Sequence, residues 1–91
     1  MMPYIPPEER ESLDDLISAL ITELRNGDFR GRLNYVISSI LAGLIEANGV
    51  SYRLINDSIG VLECAKQELY RRVAIPYENE KIQDNGDVYD S

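Results

Sequence analysis

Arginine, lysine and tyrosine gather in two places on this chain. Arg32 and Tyr35 stand near residue 30, and Lys66, Tyr70, Arg71, Arg72 and Tyr77 lie in the last third. Arginine presents a forked donor set that matches phosphate, lysine a point charge, and tyrosine a stacking face with a hydroxyl tip. Such a set suits a phosphate-bearing ligand of nucleotide size, with the cations on the phosphates and the rings on base or ribose. Arg30, Arg32 and Tyr35 also fall at the expected start of a helix, where unpaired N–H groups and the helix dipole favour an anion. The competing reading is a solvated face whose arginines pair with carboxylates such as Glu78 and Glu80.

Other chemistries find little support. The chain has no histidine and one thiol, Cys64, so the usual nucleophile–base pairs and zinc sites lack their ligands. Cys64, between Glu63 and Ala65 in a helical pattern, reads as a small buried hydrophobe. Glu63 and Glu68 are spaced to point in different directions on a helix rather than across a substrate. Asp84-Asn85-Gly86-Asp87 lacks the alternating oxygen positions and distal glutamate of a calcium loop, and reads as a helix stop. The expectation is therefore a binder with no catalytic residue, no metal and no cofactor.

Three principal helices and a short fourth must position these groups. Pro6-Pro7 followed by Glu8, Glu9 and Glu11 marks a helix start. Leu13, Leu16, Ile17, Leu20, Ile21 and Leu24 then make one apolar stripe, and the helix covers about residues 7–26 before Asn26-Gly27. Asp28 is a good N-cap for a second helix over 28–48, with Phe29, Leu33, Val36, Ile37, Ile40, Leu41, Leu44 and Ile45 as its core face. Ser51 opens a third helix over 51–75, whose buried line is Ile55, Ile59, Leu62, Leu69 and Val73. Pro76 breaks or bends it and starts a fourth helix over 76–84, with residues 85–91 as tail. Tyr35, Ser39, Ala42 and Gly43 on the second helix, and Asn56, Gly60 and Cys64 on the third, form small-residue lines suited to close helix packing or to a pocket lining. An antiparallel arrangement of the second and third helices brings the Arg32 and Arg71 ends together. The fold class expected is all-α: a single domain over residues 1–91, a compact helical bundle.

The whole chain of 91 residues carries a net charge of −7, with acidic ends around a neutral-to-basic middle. That distribution argues against wrapping duplex nucleic acid, which takes a broad basic footprint. The longest mostly apolar run, Val36 to Ile45, is about half of what a membrane span requires. The start lacks the basic and apolar parts of a signal peptide, so a soluble cytoplasmic protein is expected. A chain this small has a thin core, and with neither disulfide nor metal the remaining route to stability is a homo-oligomer.

Several blocks carry a resemblance: Met2-Pro3-Tyr4-Ile5-Pro6-Pro7, Gly31-Arg32-Leu33-Asn34-Tyr35, Ile59 through Lys66, Tyr70-Arg71-Arg72, Pro76-Tyr77-Glu78 and Asn85 through Tyr89. Together they resemble a family of small all-helical proteins of phages and prophages, over nearly the whole chain. Small phage proteins of this size and helical type include sponges, homo-oligomers that bind nucleotide signals of host defences such as CBASS and Thoeris. By that analogy the chain is an anti-defence protein of the host cytoplasm that sequesters an ADP-ribose derivative or cyclic oligonucleotide without cleaving it. The alternative from another class is a helical inhibitor or adaptor of a host protein, or a component of phage assembly.

Overall fold

The computed structural model describes residues 3–89. Met2 of the N-terminal block and residues 90–91 of the expected tail lie outside them. The described residues form four α-helices: α1 (Pro7–Leu24), α2 (Phe29–Asn48), α3 (Tyr52–Leu69) and α4 (Ile75–Asn85). A π-helical turn, Tyr70–Ala74, joins α3 to α4. No strand occurs among the described residues, so the all-helical class holds. No helix of the described residues is long and apolar enough to cross a membrane.

Local chemistry sets the helix ends. Pro7 opens α1 where a missing N–H costs nothing, and the Arg10 Nε–H reaches back to the Ile5 carbonyl at 2.7 Å, tying the leading segment to the first turn. Asp28 caps α2 by accepting the Arg30 backbone N–H at 3.1 Å. The Ser51 hydroxyl accepts the Leu54 N–H at 3.1 Å and opens α3. Gly49 closes α2 at φ +81 while its N–H donates to the Ile45 carbonyl at 2.8 Å, and Gly86 closes α4 in the same manner.

The chain divides into two units within α3, residues 3–58 and residues 59–89. In the first, α1 touches α2; in the second, α4 follows on the π-turn. Neither contains a buried residue among those described. The expected bundle core is not found within either unit: the apolar stripes form on each helix, but neither unit by itself buries its own. Leu24, Val36, Leu41, Ile45 and Leu54 are half-covered, whereas Leu16, Ile21, Ile40 and Leu44 stay exposed. Cys64 is likewise half-buried rather than buried. The physical reason is the one small size imposes, since helix propensity and capping can shape a stripe but only a packed neighbour removes it from water. On the α2 small-residue line, a Cβ placed on Gly43 meets no atom within 4 Å, so that glycine serves no close helix approach within its unit. Gly60 and Cys64 of the α3 line are half-buried.

Pro76 does not separate two helices. Helical backbone runs from α3 through Pro76 into α4, and the adjustment falls just upstream of the proline. The Ile75 N–H donates to the Tyr70 carbonyl, five residues back instead of four. An α-turn there would press the Pro76 ring on the Arg72 carbonyl. Widening the turn by one residue relieves that contact, which places Pro76 in the first turn of α4 where its missing N–H is tolerated.

Candidate anion site at the π-turn

The π-turn is made of Tyr70, Arg71, Arg72, Val73 and Ala74, so the densest basic-aromatic stretch of the sequence coincides with the irregular backbone. Single π-turns inside helices are frequent at functional sites, because the extra residue re-aims the side chains around it. Beside the turn lies an open groove of about 530 Å³, walled by Glu63, Lys66, Glu68, Tyr70, Arg71 and Ile75. That volume falls within the range of small-molecule sites.

Its charges arrive in pairs. Arg71 Nη2–H and Nε–H donate to Glu68 Oε1 at 2.6 and 2.9 Å, and Nη2 also reaches Oε2 at 3.3 Å. The Glu68 side chain is only 12% exposed, so this is the better-sheltered end of an otherwise solvated pair. Lys66 Nζ sits 3.5 Å from Glu63 Oε1, which also accepts from Gln67 Nε2 at 3.2 Å. Both cations thus already hold a carboxylate partner, and an anion in the groove would compete with Glu68 for Arg71 and with Glu63 for Lys66. Lys66, Tyr70 and Arg71 are therefore brought together, while Arg72 and Tyr77 are not among the walls of this groove. Tyr77 lies under the Lys81 ammonium, 5.5 Å from its ring centre, which occupies one face of the ring.

Arg32 and Tyr35 belong to the other unit. With Leu20, Glu23, Gly31 and Val36 they wall a smaller groove of about 290 Å³. Arg32 Nη1–H donates to the Asn26 carbonyl at 2.8 Å and Nη2 lies 3.8 Å from Glu23 Oε2. The hydrogen bond thus ties the start of α2 to the turn before it, and the ion pair ties it to the end of α1. Arg30 is engaged as well, with Nε and Nη2 on the two Asp28 oxygens at 3.1 and 3.2 Å. The Arg30 side chain, and then its backbone N–H, hold the Asp28 carboxyl below its ordinary value of 3.8.

Two groove walls run against the sequence reading. The five-residue spacing of Glu63 and Glu68 predicts side chains that diverge, yet both line the groove. The groove follows the helix surface round to the π-turn instead of lying along one face. The i,i+3 spacing of Glu68 and Arg71 was the available signal for the clamp. Ile75 had none, because its place on the wall follows from the π-turn.

A family model for a domain of unknown function, DUF6899, matches residues 2–88. The chain belongs to the DUF6899 family. No curated protein and no solved structure matches it. Both grooves, the π-turn and Pro76 fall within the DUF6899 match, so the candidate site is part of the domain rather than an appendage to it.

Proposed function

We propose that this chain is a non-catalytic binding protein that sequesters a small phosphate-bearing nucleotide, acting as a phage anti-defence sponge in the host cytoplasm. The ligand class is an ADP-ribose derivative or a cyclic oligonucleotide. One observation carries the reading: Lys66, Tyr70 and Arg71 share the walls of a nucleotide-sized groove at a π-turn. Arg71 and Lys66 engage phosphate, and Tyr70 supplies the stacking face. Arg72 and Tyr77, next along the chain, serve as outer contacts, while Arg32 and Tyr35 line the separate groove of the other unit.

The test is a thermal-shift panel of cyclic di- and trinucleotides, ADP-ribose and its cyclic isomers, followed by heat release and mass spectrometry of whatever was held. The expected result is a stabilising shift with one class of nucleotide, intact ligand on release, and loss of the shift in Arg71→Ala. A panel without any shift refutes the reading, and a consumed ligand refutes the non-catalytic part of it.

A second reading is favoured by the exposed stripe of α1, where Leu13, Leu16, Ile17 and Ile21 lie opposite a face carrying Glu8, Glu11 and Asp15. It is a helical interaction module that lays α1 on a host protein with a basic rim. Capture of a host protein that is lost in Leu16→Asp, with no nucleotide shift, selects this reading over the first.

A further inference from the structure

We infer that Asn26 is a site of self-modification: its side-chain amide deamidates through a cyclic imide, and Arg32 activates the step. The chain holds three Asn-Gly pairs, Asn26-Gly27, Asn48-Gly49 and Asn85-Gly86, each where a helix ends. In such a pair hydroxide takes the proton of the glycine N–H, and the nitrogen attacks the asparagine Cγ. The side-chain nitrogen takes a proton from water and leaves as ammonia, which restores the hydroxide. Water then adds to either carbonyl of the imide and opens it to aspartate or to isoaspartate. Glycine hinders this closure least, since it carries no side chain.

The structure separates the three pairs. Asn48 and Asn85 are the last residues of α2 and α4, and the N–H groups of Gly49 and Gly86 donate to the Ile45 and Ile82 carbonyls at 2.8 Å. Ring closure there has to break a helix-end hydrogen bond. The Asn48 side chain is held as well, its amide nitrogen donating to the Leu44 carbonyl at 2.8 Å. Asn26 lies in the turn between α1 and α2 and is exposed. Gly27 donates to the Arg25 carbonyl across a three-residue turn at 3.1 Å, a weaker tie than the bonds of the other two glycines. A Cβ placed on Gly27 would meet no atom within 4 Å, so solvent reaches this turn.

Arg32 acts on the reacting group itself. Its Nη1–H donates to the Asn26 carbonyl at 2.8 Å, and that carbonyl belongs to the same peptide unit as the Gly27 nitrogen. As the nitrogen gives up its proton, amide resonance spreads the charge onto this oxygen. A guanidinium already in place on the oxygen stabilises the anion as it forms, as the donors of an oxyanion hole do. After closure the same hydrogen bond polarises the main-chain carbonyl of the imide. Water is thereby directed to that carbon, and opening there gives isoaspartate. Glu23 Oε2, 3.8 Å from Arg32 Nη2, opposes the activation by offsetting part of the positive charge.

The test incubates the full chain in warm, mildly alkaline buffer and follows each Asn-Gly pair by peptide mass spectrometry, with electron-transfer fragmentation to read isoaspartate. Asn26 should convert faster than Asn48 and Asn85, with isoaspartate the main product. Arg32→Gln should slow Asn26 about tenfold, the scale of a hydrogen bond to a charged group. Arg32→Lys, which keeps the charge, should slow it less, and Glu23→Gln should speed it. A purely structural role for Arg32 gives the opposite sign, because losing its tie loosens the turn and quickens closure. An Asn26 that is not the fastest of the three, or one that converts as fast or faster in Arg32→Gln, overturns the proposal. Circular dichroism checks that each variant is folded. If Arg32→Gln unfolds, Glu23→Gln decides, and a rate at or below that of the unaltered chain overturns the proposal.

Discussion

Replacing Pro76 by alanine tests whether the proline causes the π-turn. The new N–H finds the Arg72 carbonyl four residues back, and the Ile75 N–H shifts from Tyr70 to Arg71 as the turn tightens to an α-turn. One added backbone hydrogen bond is worth about 0.5–1.5 kcal/mol net. The propensity gap between proline and alanine is about 3 kcal/mol in a helix interior, but most of it is excused in a first turn, where Pro76 now sits. Proline also restricts the unfolded chain, and losing that restriction costs about 0.4–1 kcal/mol. The balance is a gain of about 0.3 kcal/mol, or a rise of roughly 1–2 °C in melting temperature for a domain this size. Thermal melts of Pro76→Ala by circular dichroism give the stability, and amide exchange reports whether the newly introduced N–H is protected. Because the relaxed turn re-aims Tyr70 and Arg71 relative to Ile75, any nucleotide-induced shift should fall in the same variant. A loss of stability together with free exchange of that new amide would refute the reasoning, since the wide turn would then persist without the proline.

Other substitutions probe separate links. Gly43→Ala should stabilise α2 by about 1 kcal/mol in a thermal melt, because the added methyl meets no atom within 4 Å and alanine is the better helix former. Gly49→Ala should cost about 1–3 kcal/mol by the same measurement, because φ +81 with ψ 148 is backbone that essentially only glycine adopts. Asp28→Ala should lower the melting temperature at neutral pH. The Asp28 carboxyl is held below 3.8, so its contribution is complete above that value and is lost as pH falls through the lower folded one. The gap between wild type and Asp28→Ala should accordingly narrow in melts taken at increasingly acid pH.

What the sequence disclosed, and what it withheld, follows from the range of the interactions involved. Pro7, Asp28 and Ser51 act over two or three residues, and each does in the structure what its type dictates. The apolar periods of α1, α2 and α3 are also local, and they forecast stripes that formed. Whether Leu16 or Leu69 is covered depends on another helix, and no period carries that information. Pro76 shows an intermediate case: its steric demand is plain, but a break, a kink and a π-turn all meet it. The π-turn in turn decides which residues reach the groove, so Tyr70, Arg71 and Ile75 share it while Arg72 does not. Arg32 has the chemistry of a phosphate donor, yet its one hydrogen bond and its ion pair join α2 to the turn and end of α1.

Lys66 shows how the groove's hold on a phosphate divides between charge and shape. As a groove wall it offers its ammonium to an anion, and the same ammonium lies 3.5 Å from Glu63 Oε1. Its apolar stem lies along the helix surface while the charged tip reaches outward. Lys66→Met keeps a stem of similar length and removes the ammonium, so the nucleotide shift in a thermal melt should decline in that variant if charge is the lost term. If Lys66→Met left the nucleotide shift intact, Arg71 would carry the phosphate.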